Sequence, residues 1–176
     1  MSLSLSALVS PLLMAFYDFK EPMHYASLFV FDPPNCEHQV VFPKYPQKIG
    51  LLKNNDSTYS AQLSLKDSFL RADCQEQTLQ TDIDRKSYLE SLVLGQINNL
   101  GGNKITILKY DVNDESATYT GQVIIKNVSI MVSGGFYIGN NSLMSLTAID
   151  KYTIQSSTAT TEFIGSASQL TLPALQ

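Results

Sequence analysis

The sequence predicts a mainly β domain: an antiparallel sheet closed, or nearly closed, into a barrel or sandwich, with one helix packed on it and an arm at each end. Three observations predict it. Thr58–Asp67 alternates, with Tyr59, Ala61, Leu63 and Leu65 on one face and Ser60, Gln62, Ser64 and Lys66 on the other. That period gives a strand one buried and one wet face. A single segment, "TDIDRKSYLESLVLGQINNLGG", carries apolar residues at helical spacing. Runs rich in β-branched and aromatic residues fill most of the remainder, and these suit strands.

The chain opens with "MSLSLSALVSPLLMAFYDF", which is apolar but has no Lys or Arg before Lys20. A secretory signal wants a positive start, so this argues against one. As a membrane span the segment is too short, is broken by Pro11 and is diluted by four serines among its first ten residues. Residues 1–22 are therefore expected to form an amphipathic helix or arm. Its Leu12, Leu13, Phe16 and Tyr17 would be laid against the chain's own core or a neighbouring subunit.

A β domain is expected over residues 23–153. "HYASLFVFD" (His24–Asp32) reads as a strand stopped by Pro33-Pro34. In "VVFPKYPQKIGLLKNN" Pro43 and Pro46 each remove a ladder donor and hold the preceding residue extended. The strand through Val40 therefore stops at Phe42, and another, about Gln47–Lys53, starts in a new direction. The stiff corner offers Phe42 and Tyr45 as low-entropy anchors for the N-terminal segment.

The helix is expected at Asp84–Leu100, after a polar loop around Cys74. Tyr88, Leu89, Leu92, Val93, Gln96, Ile97 and Leu100 form its stripe, Thr81 with Asp84, or Asp82, caps it, and Gly101-Gly102 ends it. Strands follow in "NKITILKYDV", "ATYTGQVIIKNVSIMVS" and "SLMSLTAIDKYTI", the first pair turned by the acidic Asp111–Glu115. A long hairpin is expected from Val123–Ser133 and Leu143–Tyr152. Gly134–Asn141 would be its loop, with Phe136 and Tyr137 against a neighbour. Asn127–Ile149 holds no charged residue, so both arms should be covered on both faces. Residues 154–176 read as an extended Ser/Thr-rich tail or weak edge strand anchored by Phe163, Leu170 and Leu172.

Composition narrows function. Charged residues are 16% of the chain, against about 25% in a typical soluble domain. Such a surface favours assembly. The net charge of −4 argues against a broad phosphate-binding surface. Cys36 and Cys74 show no metal or redox spacing and read as loop residues; free thiols are the default for a core of this size, with pairing left open. His24 and His38 are isolated and read as surface or strand-edge residues. "DVNDES" shares Asp and Asn spacing with a calcium loop but lacks its Gly and its Glu. No phosphate loop, nucleophile elbow, CxxC or HExxH is present. No catalytic, cofactor or metal residue is assigned, and no enzyme is expected.

Phe42-Pro43, Pro46 and Ile49, with Gly121, Val123, Ile125, Val128, Ser129 and Gly134-Gly135 further on, resemble the "FP…P…I" and "G-x-V-x-I-x-x-V-S…G-G" elements of tube-like baseplate proteins. These belong to phage tails and contractile injection systems. The resemblance covers about Tyr25 to Tyr152, and the LysM module that many such proteins carry is missing. It implies a structural tail-tube, tube-initiator or inner baseplate component of the virion tail, made in the bacterial cytoplasm. The partners it implies are a homo-oligomeric, by resemblance hexameric, ring and neighbouring tube or baseplate proteins. Sequence-specific nucleic acid, a membrane span and cofactors are not expected. The interface would use Leu12, Leu13, Phe16, Tyr17, Phe42, Tyr45, Phe136 and Tyr137. The alternative is a small-molecule-binding or enzymatic β-barrel, its end plugged by the helix, with "GGFYIGNN" and Tyr119 lining a pocket.

Overall fold

The computed structural model describes residues 28–54, 56–78, 83–99, 105–125, 128–151 and 155–170. Leu12, Leu13, Phe16, Tyr17, His24, the caps proposed at Thr81 and Asp82, and Leu172 lie outside them.

The described strands are β1 (Phe29–Phe31), β2 (His38–Phe42), β3 (Lys48–Asn54), β4 (Asp56–Ser64), β5 (Ser68–Glu76), β6 (Ile105–Val112), β7 (Ser116–Ile125), β8 (Val128–Ile138), β9 (Ser142–Lys151) and β10 (Ser168–Gln169). Two helices are described, α1 (Arg85–Asn99) and α2 (Thr158–Gly165). A small sheet has the order β1-β2-β10, and a large one the order β3-β4-β5-β9-β8-β7-β6. Every pairing is antiparallel. The protein is mainly β, a two-sheet sandwich with helix packed on it. The large sheet is open and not a closed barrel: β3 and β6 stand at its two edges. The double-proline corner does redirect the chain, since β2 lies in the small sheet and β3 begins the large one.

Alternation along the strands gives the large sheet two different faces. On the first, Ala61, Leu63, Leu70, Ala72, Cys74, Met144, Leu146 and Ala148 form one core with Phe31, Val40 and Phe42 of the small sheet and Phe163 of α2. On the second, Ala117, Tyr119, Val123, Val132, Phe136 and Ile138 form another beneath Leu89 and Val93 of α1. The small sheet and α2 thus cover the β4-β5-β9 half from one side. Helix α1 covers the β7-β8 half from the other.

The helix α1 begins where Asp84 accepts hydrogen bonds from Ser87 N (3.4 Å) and Ser87 Oγ (2.7 Å), an N-terminal cap in the usual sense. Gln96 Nε2 donates to Thr147 Oγ1 at 2.7 Å, which pins its far end to β9.

Two expectations for the long hairpin need correction. Gly134–Ile138 is strand and not loop; β8 and β9 are joined by a tight turn at Gly139–Asn141. Val123 lies in β7 and not in β8's arm. An uncharged run containing two glycines looked like a hairpin tip because its cross-strand partners, Tyr119 among them, are distant in sequence.

The C-terminal stretch, expected as an extended tail or a weak edge strand, holds helix α2 and then the two-residue edge strand β10 on β2 within the described residues. Ser157 caps α2, its Oγ accepting from Thr160 N at 3.1 Å. Behind the cap lies Asp150, 1% exposed. Its Oδ1 accepts from Ser68 Oγ (2.6 Å), Ser157 Oγ (2.8 Å) and Thr160 Oγ1 (2.9 Å), and its Oδ2 from Ser157 N (2.8 Å). A buried carboxylate is tolerated because four donors replace its water. It ties β5, β9 and α2 together. Phe163 then reaches Phe42, ring centroids 4.8 Å apart.

Cys36 and Cys74 form a disulfide across 38 residues. Cys74 sits in β5, not in a loop, so the bond fastens the β1–β2 turn to the centre of the large sheet. Asn35, with φ 63°, turns the chain just before it.

Two stability outcomes follow. Reduction, or Cys36→Ser with Cys74→Ser, should lower unfolding free energy in urea by about 3–4 kcal/mol, the loop-entropy value for this separation; an unchanged midpoint in dithiothreitol would refute the staple. Asp150→Ala should cost about 2–4 kcal/mol by stranding its donors. Amide exchange should show α2 losing protection before the large sheet does.

Candidate functional site: a groove along the open half of the sheet

The small sheet is narrower than the large one. Over β6, β7 and β8 the first face is therefore open except where α2 crosses its border. A groove results, floored by β7 and β8 and walled by α2 and the Ala167–Gln169 segment. Tyr137 and Ala167 belong to both of its arms.

The first arm, about 300 Å³, is lined by hydroxyls: Thr118, Thr120, Ser133, Ser156 and Thr161, with Lys109 at the β6 side. They come from alternation. Thr118 and Thr120 share one face of β7 and pair with Gly135 and Ser133 of β8. Thr120 Oγ1 lies 3.2 Å from Ser133 Oγ, which lies 3.0 Å from Ser156 Oγ. Each hydroxyl can donate or accept, so the row adapts to either kind of ligand group.

The second arm, about 240 Å³, is lined by His38, Arg85, Glu115, Ser116, Asn140 and Gln169. His38 alternates with Val40 and Phe42, so its ring points inward; it is 5% exposed and its Nδ1 has no hydrogen-bond partner. Its ring centroid is 6.0 Å from that of Tyr137. Arg85 reaches Asn140 Oδ1 at 3.3 Å. Next to His38, Glu37 Oε2 accepts from Asn141 N (2.9 Å) and Ser142 Oγ (3.2 Å). A Cβ on Gly139 would meet the Glu37 carboxylate, so a larger residue there would displace that side chain.

Tyr137 divides the arms. Its hydroxyl donates to Ile164 O at 3.0 Å, and burial pushes its pKa up to about 12. Burial holds the His38 imidazole below its ordinary 6.5, with Glu37 and then Glu115 pulling the other way.

Of the eight interface residues expected from sequence, Phe42, Tyr45, Phe136 and Tyr137 are described, and these four lie in different parts of the fold. Phe42 is in the first core and Phe136 in the second. Tyr45 is 67% exposed, its ring edge-on to Phe29 at 4.8 Å. Among the four described, Tyr137 alone lines the groove. His38, expected as a surface or strand-edge residue, is the first residue of β2 and is buried; its alternation with Val40 and Phe42 is the signal. The hydroxyl row was legible only as the wet face of β7. Tyr119 lies under α1 with its ring over Gly134 and also borders the first arm of the groove, which belongs to an open sheet and not to a barrel. Among the described residues no three metal-ligating side chains converge, and no helix is long and apolar enough to cross a membrane.

The architecture defines a class: an open antiparallel sheet with a helix on one face, a small sheet on the other, and a groove where the second cover ends. No family model matches the chain, and no curated protein does. Solved structures do. The chain is similar to the Saccharomyces cerevisiae Ran-binding protein Mog1p (TM-score 0.51, 8% identity, 82% of this chain and 96% of that one). A Mog1 point variant gives TM-score 0.51 at 9% identity, over 81% and 96% of the two chains. Protein PA94 of Pseudomonas aeruginosa, of unknown function, gives TM-score 0.38 at 11% identity, over 70% and 83%.

These likenesses overturn the tail-tube resemblance. The assignment as a phage-tail or injection-device component goes with it, as does localisation to a virion tail. The quoted motifs are strand and turn chemistry: Phe42-Pro43 and Pro46 make a corner between sheets, and Gly134-Gly135 lies inside β8.

The depressed His38 value fixes a pH dependence. The unfolded chain takes its proton near 6.5 and the folded chain only at lower pH, so acidification through that window favours unfolding. Urea midpoints should therefore fall between about pH 7.5 and about pH 5.5, and His38→Gln should flatten that slope. A parent slope equal to that of His38→Gln would contradict it.

Proposed function

We propose that this chain is a protein-binding module that holds an extended segment of a partner polypeptide in the groove between α2 and the open face of β7 and β8. The observation that carries this reading is the row Ser116, Thr118 and Thr120 on one face of β7, left open where the small sheet stops. Those side chains repeat every second residue, about 6–7 Å apart, the period of an extended chain. The row spans roughly 13 Å, enough for about four residues of ligand. Its hydroxyls can satisfy the N–H and C=O groups that an extended backbone presents. Mog1p, whose fold is similar, is described as Ran-binding, which supports a protein as the occupant. No catalysis is assigned: the Nδ1 of His38 lacks the oriented partner that a general base requires.

A photo-crosslinking amino acid at Thr118 in the groove, compared with one at Gln62 on the opposite face, tests the reading. A single polypeptide should be captured from Thr118 and not from Gln62. Once purified, it should bind the parent protein and bind Thr120→Arg at least about tenfold more weakly. Equal capture at both positions, or full affinity for Thr120→Arg, would overturn it.

A further inference from the structure

We infer that the His38 arm of the groove binds the ammonium group of a lysine side chain carried by the partner polypeptide. This rests on the reading that the groove takes a polypeptide.

The first ground is an orphaned polar atom. His38 is 95% buried by the same measure that makes it 5% exposed, it lines the cleft, and its Nδ1 has no partner. A buried polar atom left unpaired is costly, and a ligand N–H arriving through the cleft removes that cost. The second is charge. Glu115 lines the same cleft, and no ion pair of its carboxylate is found among the described residues. Glu37 adds a second carboxylate beside the imidazole. Arg85 is the one cation among the described lining residues, and it is occupied with Asn140 Oδ1. The third is the wall, since the Tyr137 ring offers an aromatic surface to a cation.

The imidazole cannot supply the positive charge that this field asks for. Both carboxylates draw it towards protonation, yet burial prevails and holds it neutral near pH 7. An ammonium group brings the charge with its own three donors. It meets a carboxylate at Glu115, an aromatic wall at Tyr137 and, with the His38 proton on Nε2, a lone pair at Nδ1. The 240 Å³ of the arm admits a side chain and not a folded surface. An anion would meet Arg85, but also Glu115 and an unprotonated imidazole.

The test uses the full chain and Nα-acetyl-lysine methylamide as probe, read by the nitrogen and carbon resonances of the His38 ring. The lysine probe should shift them saturably at millimolar concentration, and Nα-acetyl-norleucine methylamide and acetate should not. Glu115→Gln, an exposed change, should weaken the response about tenfold, and acidification that protonates His38 should weaken it too. An equal response to norleucine, a response to acetate, or an unchanged affinity in Glu115→Gln would each overturn the assignment. A lost lysine response with capture at Thr118 intact removes this subsite and leaves the polypeptide reading standing. A lysine response without capture at Thr118 supports the subsite and overturns the wider reading.

Discussion

Two neighbouring glycines let two tyrosine rings lie against opposite faces of one strand, and the architecture is organised around them. On the second face, the Tyr119 ring crosses Gly134 so closely that a Cβ there would meet its atoms at 2.5–2.7 Å. On the first face, a Cβ on Gly135 would meet the Tyr137 ring at 2.9–3.3 Å. Glycine weakens a strand interior by itself, and here each ring covers the backbone that its glycine bares. Tyr119, lying flat, leaves room for Leu89 and Val93 of α1 to pack over β7 and β8. Tyr137, lying flat, points its hydroxyl at the end of α2. The two covers of the sheet are thus seated from one place in β8.

The groove is a consequence of unequal widths. Seven strands are covered on the first face by three short ones and a helix of eight residues. That helix is too short to hold itself together in water, so its position depends on what grips it. Asp150 grips its first turn, Phe163 its middle and Tyr137 its last carbonyls. A wall fastened at three points keeps the groove formed without a ligand, which reduces the ordering cost that binding would otherwise carry.

Much of this fold was written in local pattern. The alternation in Thr58–Asp67, the stripe from Tyr88 to Ile97 and the stop at Pro43 needed no tertiary information, and each sits where its pattern puts it. What failed depended on distant partners. Gly134-Gly135 has the composition of a turn, and its ladder partners in β7 and β9 make it strand. Thr160, Phe163 and Ile164 follow helical spacing, but a Ser/Thr-rich octet has weak propensity and is helical because Asp150 completes its cap. Leu70, Ala72 and Cys74 alternate inside a polar segment, and β9 from the far end of the chain makes them central. The candidate site was the least legible part. Its residues are ordinary wet-face Ser and Thr, plus one histidine whose burial depends on a sheet that closes over it.

The same burial separates the roles of the two rings that meet in the groove. Tyr137 is protonated through the whole neutral range as any phenol is, and burial pushes its pKa further up to about 12, so its bond to Ile164 O does not change with pH there. His38 is desolvated too, but its ordinary value lies near neutrality, and Glu37 and Glu115 stand close enough to oppose the burial. The dividing wall is therefore electrically constant while one arm beside it can change charge. Protonation of His38 alters the charge of one arm without loosening the helix that forms the wall of both.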